Sequence, residues 1–413
     1  MTARTARAAI ACALVLVAAV GCRKSDPAPA PDPAKGATSF AKAKPIAGPP
    51  FSGVAQVALG DVHSCARKID GTVWCWGDNS FQTLGDGTSE QRGAPTQVVG
   101  LHDVAELAVA GLHSCARVSD AVWCWGRNGL GVVGDGTTID RPSPVAVVGL
   151  AGAAQIAVAT SRSCARLVDE TVRCWGNTEW SVKSTAHELA PIPMGRLSHV
   201  AQLALGWSHA CARADDGSTS CWGTNVFGGC GDGTELNEVA FPTPVAGDHR
   251  FTRVAVGQGH TCAIDEKAKL WCWGSNSHGQ LGDGTTTRHL VPAEVPALGD
   301  VVQVTLNWES TCTLRATGEV LCWGGNEYGE LGDGTTSARS TPAPIAGMNG
   351  AKQIALGSHH ACAILANDTL ACWGRNQYGQ LGFPSDETCG MKEIPCARRP
   401  QVVPKGLSGS TCP

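Results

Sequence analysis

The sequence lacks the short motifs by which many enzymes are identified. It has no Gly-x-Ser-x-Gly nucleophile elbow, no His-Glu-x-x-His zinc motif, and no isolated set of His, Asp and Ser outside its repeats. We therefore predict a protein that is not an enzyme and that binds neither a cofactor nor a metal ion. An active site assembled from several distant segments would escape such a search, so a hydrolytic protein stays open as an alternative.

Helical patterning and clustered positive charge are also scarce. No segment has the 3.6-residue apolar periodicity of an amphipathic helix. The chain has 32 Lys and Arg against 36 Asp and Glu, and the basic residues form no run. Proteins that bind a phosphate backbone do so with clustered Lys and Arg, so nucleic acid is not an expected partner.

Residues 1–21 have the layout of a signal peptide. Arg4 and Arg7 give a basic start, and the apolar run from Ala8 to Val20 is too short to span a membrane as a helix. The run leads to Ala-Ala-Val-Gly-Cys, ending at Cys22, which resembles the lipobox of bacterial lipoproteins, although Ala occupies the position where Leu is usual. We expect Cys22 to be lipidated. Ordinary cleavage nearby, which would release a soluble secreted protein, is the alternative.

Residues 22–43 are rich in Pro and Ala and have no periodic apolar face, which predicts a semi-extended tether. Loss of Arg4 and Arg7 with the signal peptide leaves 30 basic against 36 acidic residues, a net charge of −6. Residues 44–413 carry an unbroken repeat, so we predict one domain there and expect a monomer.

The repeat is marked by a cysteine, a turn, and then Cys-Trp-Gly. Its first copy, His63–Gly77, has two short apolar runs around an Asp-Gly turn, which predicts a β-hairpin. Six further copies follow at intervals of 47 to 51 residues, which is typical of an array of supersecondary units. The cysteine pairs are Cys65–Cys75, Cys115–Cys124, Cys164–Cys174, Cys211–Cys221, Cys262–Cys272, Cys312–Cys322 and Cys362–Cys372.

The spacing of the cysteines predicts the register of the hairpin. If the two cysteines lie opposite one another, the first copy has a three-residue loop with Gly71 where φ must be positive, and the shorter second copy has a two-residue loop. The Trp after each second cysteine then faces a small residue, as packing on one face of the hairpin requires. The predicted pairs are Trp76–Ser64, Trp125–Ser114, Trp175–Ser163, Trp222–Ala210, Trp273–Thr261, Trp323–Thr311 and Trp373–Ala361.

Each repeat contains about four short strands, because an alternating run precedes the hairpin and a Pro-flanked apolar run follows it. Such repeats form the blades of β-propellers. We predict an all-β, seven-bladed propeller with one disulfide-stapled hairpin in each blade. Zinc is disfavoured because each blade brings together two thiols, whereas a zinc site needs four ligands. Cys389 and Cys396 are expected to pair, and the states of Cys230 and Cys412 are left open.

The segment Gly259–Val295 resembles the repeat of the regulator of chromosome condensation family. It has Gly-His before the first cysteine, then Trp-Gly-x-Asn and Gly-Gln-Leu-Gly-Asp-Gly-Thr. The resemblance extends from about residue 45 to residue 404 and implies a seven-bladed propeller. Eukaryotic members exchange guanine nucleotide on a nuclear GTPase and bind chromatin, but an exported chain would not meet that partner, so that activity is not carried over. Secreted bacterial members bind and inhibit β-lactamases, which implies protein recognition without identifying a target.

The Pro-flanked strand occurs eight times, once more than the rest of the repeat. The terminal copies are Pro45–Gly48 and Gln401–Pro404, and a closed ring needs only one of them. We expect the N-terminal copy to close the last blade.

Two sets of repeated residues are interpreted as structural. The Gly-Asp-Gly-Thr segments lack the alternating acidic ligands of a calcium loop and are read as turns. A histidine at one repeat position faces the Gly of its own Trp-Gly, where we expect it to hydrogen-bond the backbone; a metal-binding or pH-sensing ring is the alternative. These histidines are His63, His113, His209, His260 and His360.

Departures from the repeat are the expected places for partner binding, because irregular segments project from one face of an array. The two longest are Asn177–Leu189 in repeat three and Phe383–Arg399 in repeat seven; repeat decay at the surface is the alternative. Exposed aromatic side chains are common anchors at interfaces, although packing in the core is an alternative for them. The candidate contacts are Trp180, Trp207, Trp308, Tyr328 and Tyr378.

We predict an exported, lipid-anchored propeller that binds an unknown protein, either an envelope protein or a secreted one, at the bacterial cell envelope. The first alternative is a carbohydrate-active or other hydrolytic propeller, which would have two or three carboxylates at the mouth of its channel. The second is a purely structural surface lipoprotein.

Overall fold

The computed structural model describes residues 48–177 and 187–405, which form seven antiparallel β-sheets. Each sheet is one blade, so the predicted all-β, seven-bladed propeller is confirmed. Within the described residues there is no helix, and hence none that could cross a membrane. The predicted signal peptide and tether, Cys22, Trp180 and Cys412 lie outside the described residues.

The strands follow one another blade by blade. Blades 1 to 4 contain β1 (Val54–Leu59), β2 (His63–Lys68), β3 (Val73–Gly77), β4 (Arg92–Gln97); β5 (Val104–Ala110), β6 (His113–Val118), β7 (Ala121–Gly126), β8 (Arg141–Ala146); β9 (Ala153–Ala159), β10 (Arg162–Leu167), β11 (Val172–Gly176), β12 (Glu188–Pro193); and β13 (Val200–Leu205), β14 (His209–Ala214), β15 (Thr219–Thr224), β16 (Glu238–Pro244). Blades 5 to 7 contain β17 (Phe251–Val256), β18 (His260–Asp265), β19 (Leu270–Gly274), β20 (His289–Glu294); β21 (Val301–Leu306), β22 (Ser310–Arg315), β23 (Val320–Gly324), β24 (Arg339–Pro344); and β25 (Gln353–Leu356), β26 (His360–Ile364), β27 (Leu370–Arg375), β28 (Glu387–Cys389), β29 (Ile394–Val402).

The hairpin formed by the second and third strands of each blade has the predicted register. In all seven hairpins the two cysteines are opposite one another, and each Trp is opposite its predicted small partner. In blade 1 the Lys68 amide donates to the Thr72 carbonyl oxygen at 2.8 Å, which closes a three-residue loop, and Gly71 has a φ of 77°. In blade 2, Val118 pairs with Ala121 around a two-residue loop.

Disulfide bonds join the two strands of every hairpin, as predicted, with the Cα atoms 4.1 Å apart in each. A further disulfide joins Cys389 to Cys396 in blade 7. Cys230 is the free cysteine of the described residues and is fully buried. Burial raises the pKa of its thiol to about 12, so it packs as a small apolar side chain.

Neighbouring blades are joined by hydrogen bonds that the hairpin residues make across the joint. Between blades 7 and 1, Trp76 Nε1 and Ser64 Oγ both donate to the Gln380 carbonyl oxygen, at 2.9 Å and 2.7 Å. His360 Nε2 lies 2.9 Å from the same Ser64 Oγ. Because the hydroxyl gives its hydrogen to Gln380, it accepts from the imidazole, and the histidine proton therefore lies on Nε2.

A histidine occurs in this position where the next blade supplies a hydroxyl group. Blade 3 has Arg162 and blade 6 has Ser310 instead of histidine, and the blades that follow them have Ala210 and Ala361 instead of Ser or Thr. Nε2 of each ring reaches across the joint to this hydroxyl group, a partner that the expected hydrogen bonds to the backbone did not include, and His209 also bonds the backbone of Gln258. The other pairs are His63–Ser114, His113–Ser163, His209–Thr261 and His260–Thr311.

The inner strands around the channel are linked by glutamine side chains. Gln56 Nε2 donates to the Leu107 carbonyl oxygen at 2.7 Å, and the Leu107 amide donates to Gln56 Oε1 at 2.9 Å. Each glutamine side chain thus bridges two blades and satisfies the backbone N–H and C=O of one residue in the next inner strand. The same bridge is made by Gln155, Gln202, Gln303 and Gln353.

The C-terminal copy of the Pro-flanked strand closes blade 7, so the expectation that the N-terminal copy does so is wrong. Gln401 of β29 is opposite Cys372 of β27. Of the N-terminal copy, residues 45–47 lie outside the described part of the chain, and Pro50 just after it makes an isolated bridge to Pro404. Blade 7 therefore takes its outer strand from its own repeat, as the other blades do.

The two faces of the propeller have different kinds of connection. The loop after the first strand and the longer segment between the third and fourth strands, residues 60–62 and 78–91 in blade 1, lie on one face, which we call the loop face. The hairpin turns, residues 69–71 in blade 1, lie on the opposite face, which we call the hairpin face. Both irregular segments of the sequence begin on the loop face.

Candidate functional site: the aromatic channel mouth

The loops that follow the first strands meet at the mouth of the central channel. The Asp61 amide donates to the Gly111 carbonyl oxygen at 3.0 Å, which holds neighbouring loops together. Between blades 4 and 5 the loops approach closely because residue 206 is glycine, and a Cβ atom there would overlap the Gly257 carbonyl oxygen. The residues of the mouth line a cavity of about 160 Å³. Three consecutive positions of each blade line it, and the third of them is the most varied: Asp61, Gly111, Thr160, Trp207, Gln258, Trp308 and Ser358.

Trp207 and Trp308, two of the predicted contacts, meet at this mouth. They come from blades 4 and 6, yet their ring centroids are 6.2 Å apart with the planes inclined at 51°. Trp207 is 46% exposed, and Trp308 is half-buried. Trp207 is therefore not a core residue, which was the alternative for these side chains. Each blade already has a fully buried Trp in its hairpin, so this pair is additional to the core.

The aromatic contacts continue outward across blades 6 and 7. His359 packs edge-on against Trp308 and Tyr328, with centroids 5.5 Å and 4.9 Å away. The Arg375 guanidinium lies over Tyr328 at 5.3 Å and over Tyr378 at 5.9 Å. Four of the five predicted contacts are therefore part of one connected cluster, which we call the aromatic cluster: Trp207, Trp308, His359, Tyr328, Arg375 and Tyr378.

Tyr328 and Tyr378 share one position of the repeat with aromatic residues of other blades. Both lie five residues after the buried Trp of their hairpin, on the loop face. Phe227 holds this position in blade 4 and is 51% exposed. Counting five residues from the Trp of each Cys-Trp-Gly finds the equivalent residue in every blade: Phe81, Leu130, Trp180, Phe227, His278, Tyr328 and Tyr378.

Three glutamates surround the aromatic cluster. Glu327 is exposed next to Tyr328, and Glu330 accepts from the Tyr328 amide at 2.8 Å and lies 3.2 Å from His359 Nδ1. Glu309 follows Trp308 in the chain. Burial, together with these carboxylates, raises the pKa of Tyr328, so its hydroxyl stays neutral. This part of the loop face is therefore aromatic and acidic.

Asp61 is the carboxylate that lines the mouth among the described residues. It accepts a hydrogen bond from Ser358 Oγ at 2.5 Å. Burial raises its pKa, while the Ser358 hydrogen bond and His359 oppose that shift. A hydrolytic propeller was expected to have two or three carboxylates at the channel mouth, and the described residues supply one.

The irregular loop of blade 7 stands beside the aromatic cluster. The turn between β28 and β29 brings Gly390 against Tyr328 and Glu327, since a Cβ atom there would lie 3.3 Å and 3.2 Å from their side chains. Met391 in the same turn is 98% exposed. Most of the irregular segment of blade 3 lies outside the described residues.

Comparison with known proteins places the chain in a family. Residues 177–409 match the RCC1-like domain, and residues 54–82, 70–117 and 119–165 match the regulator of chromosome condensation (RCC1) repeat. The chain belongs to the RCC1 repeat family. Propellers of this family commonly mediate interactions between proteins.

Several known proteins share short segments or the fold with this chain. It is 39% identical over 59 residues to the mitochondrial RCC1 domain-containing protein RUG3 of Arabidopsis thaliana, covering 14% of this chain and 13% of RUG3. It is 34% identical over 73 residues to the ultraviolet-B receptor UVR8 of the same plant, covering 17% and 16%. Yeast RCC1 (Prp20), solved bound to Kap60, superposes with a TM-score of 0.70 at 20% identity, covering 81% of this chain and 84% of that one. The ectodomain of the Arabidopsis thaliana receptor kinase ACR4 superposes with a TM-score of 0.52 at 19% identity, covering 84% and 99%.

The repeated polar residues of this RCC1 propeller are used internally. The Asp86 carboxylate in the first Gly-Asp-Gly-Thr segment accepts from the Thr88 amide at 3.0 Å and pairs with Arg92 at 2.9 Å. The five buried histidines have a lowered pKa, mainly because of burial, and are neutral at pH 7. These residues hold turns and joints together, in agreement with the structural interpretation.

A group that was not predicted from the sequence lies on the hairpin face. Glu170, His199 and Asp215 bring three ligand atoms within 4.8 Å of one another, and His199 Nδ1 is 3.2 Å from Glu170 Oε2. All three are at least partly exposed, and exposed acidic groups commonly cluster without an ion. The aromatic channel mouth is therefore the better candidate site.

Proposed function

We propose that this chain is an exported, lipid-anchored binding protein that recognises a protein partner through the aromatic cluster of its loop face. The observation that carries the proposal is the Trp207–Trp308 pair, in which two blades place indoles side by side at the exposed channel mouth. Large aromatic side chains at the centre of a face are the residues that dominate binding energy in protein interfaces. Tyr328 and Tyr378 extend the same surface.

The size of the cavity supports a macromolecular partner. Small-molecule sites usually enclose about 300–1,000 Å³, whereas the mouth has about 160 Å³. Such a cavity accommodates one side chain of a partner, and the surrounding loops supply the rest of the contact surface. The disulfide in every hairpin and the predicted signal peptide support a location outside the cytoplasm.

The comparisons are in keeping with this use of the fold. Yeast RCC1 was crystallised bound to Kap60, and a second structure of the yeast protein was described together with its binding to Gsp1p and histones. The ACR4 propeller is an ectodomain. These partners belong to those proteins, and the partner of this chain is proposed to be an envelope or secreted protein.

The proposal is tested by comparing three forms of the mature chain in which Cys22 is replaced by alanine. The first is otherwise unchanged, the second carries Trp207→Ala and Trp308→Ala, and the third carries Ile69→Ala and Val168→Ala. Ile69 and Val168 are 67% and 72% exposed on the hairpin face, so they control for the loss of exposed apolar surface.

Each form is incubated with envelope extract of its own cell, cross-linked and analysed by quantitative mass spectrometry. We expect one protein to be enriched by the unchanged and control forms, with a loss of about tenfold or more for the double Trp variant, because interface anchors contribute about 2 kcal/mol or more each. Equal recovery with all three forms, or retention of glycan and no protein, would contradict the proposal.

A further inference from the structure

The channel mouth is lined by one carboxylate and two indoles, of which that of Trp207 is exposed and that of Trp308 is half-buried. Asp61 lines the cavity together with Trp207 and Trp308, and the described lining residues include no Lys or Arg. Its carboxylate accepts from Ser358 Oγ at 2.5 Å and belongs to none of the ion pairs between described residues. The mouth thus joins an acidic group to apolar aromatic surface.

We propose that the channel mouth binds a single lysine or arginine side chain of the partner, with the cation beside Asp61 and the methylene stem against Trp207 and Trp308. This inference rests on the proposed function and specifies the partner's chemistry. Lys and Arg have the two parts that the mouth requires, an apolar stem and a charged head. A cavity of about 160 Å³ holds a group of roughly benzene size, which is enough for one such side chain and no more.

The charge around the mouth favours a basic segment of the partner. Glu309, Glu327 and Glu330 lie next to the aromatic cluster, and Arg375 is the basic residue in contact with its tyrosines. These four residues have a formal charge of −2 when the neighbouring histidines are neutral. Complementary charge of this kind directs a basic partner towards the face and disfavours an acidic one.

The aromatic cluster already holds a cation from its own chain. The Arg375 guanidinium lies over the rings of Tyr328 and Tyr378, an arrangement that stabilises a cation on an aromatic face. Among the described residues no Lys or Arg lies over Trp207 or Trp308. The indoles at the mouth, beside Asp61, therefore offer the same kind of surface to a cation from outside.

The inference is tested with two acetylated and amidated pentapeptides, Gly-Gly-Lys-Gly-Gly and the same sequence with norleucine in place of lysine. Binding to the mature chain is measured by saturation-transfer NMR at low ionic strength, where charge interactions are least screened. We expect the lysine peptide to bind at least about tenfold more tightly than the norleucine peptide, as loss of a charged hydrogen bond predicts. Asp61→Asn should remove this preference, and Trp207→Ala should weaken binding of both peptides.

Glu266→Gln, in an exposed hairpin turn on the hairpin face, is the matched control and should leave binding unchanged. Equal affinity for the two peptides, or a lysine preference that survives Asp61→Asn in a folded protein, would overturn the inference. If lysine preference is absent while Trp-dependent capture of a partner persists, this inference fails and the proposed function stands. If lysine preference depends on Asp61 but no protein is captured, the inference stands and the proposed function fails.

Discussion

Acid is expected to destabilise this propeller through the five histidines at its blade joints. Burial lowers the pKa of His63, His260 and His360 to about 3, and that of His113 and His209 to about 4. In the unfolded chain each imidazole returns to a pKa near 6.5. The folded protein therefore excludes protons that the unfolded chain binds as the pH falls below about 6.5.

The sign and size of the effect follow from this difference. A group whose pKa is lower in the folded state contributes full stability above the unfolded pKa and loses it as the pH falls towards the folded one. For a native pKa of 4 or less, each histidine costs about 2 kcal/mol at pH 5 relative to neutral pH. Five together would cost about 10 kcal/mol, which is comparable with the stability of a whole domain. Asp61, Asp78 and Glu106 act in the opposite direction, because burial raises the pKa of each.

The contribution of one histidine can be isolated by substitution. His260→Gln retains a donor for Thr311, which His260 Nε2 approaches to 2.9 Å, but does not titrate. The natural Ser310 shows that a joint also forms without an imidazole. The free energy of unfolding is measured with guanidinium, without reductant, at pH 7.5 and at pH 5.0. Between these two pH values it should fall by about 2 kcal/mol less in His260→Gln than in the wild type. His102→Gln, at an exposed position, is the control. The same pH-dependent loss in wild type and His260→Gln would refute this reasoning.

Three further outcomes are expected. Gly206→Ala should destabilise the fold by about 1–3 kcal/mol, because the added methyl overlaps a backbone oxygen of blade 5, whereas Gly129→Ala meets open space and serves as the control; thermal unfolding would show the difference. In denaturant without reductant, the mature chain should present the thiol of Cys230 and at most one more, and mass spectrometry revealing many more would contradict the disulfides. Cys22→Ala should transfer the protein from the membrane to the soluble fraction, and persistent sedimentation with membranes would count against lipidation.

Most of the blade was predictable because its constraints are local. The distance between two cysteines determines which residues face each other in a hairpin, and the Trp then needs a small partner on the same face. Closure of the ring was not predictable in this way. Pro45–Gly48 and Gln401–Pro404 resemble one another, and the sequence alone does not show which copy reaches the edge of β27.

The candidate site was only partly predictable. Trp207 and Trp308 are distinctive in composition, but they are about a hundred residues apart and belong to blades that are not adjacent. Their contact depends on the meeting of the loops of all seven blades at the channel mouth, a property of the assembled ring. His359 and Arg375 were missed because both contact residues of blade 6, and these contacts form only in the assembled ring.

The blade joint explains why regular positions and functional positions lie so close together in the sequence. The histidine position is controlled by the next blade: His63 has Ser114 to bond, whereas Arg162 and Ser310 precede blades with alanine. Two residues earlier, the side chain lines the mouth, where one such contact between adjacent blades is made, from Ser358 Oγ to Asp61. That position varies between blades, and in blades 4 and 6 it is Trp207 and Trp308. A residue that must hydrogen-bond the neighbouring blade recurs from repeat to repeat, whereas a residue that faces the mouth can vary and so match a partner.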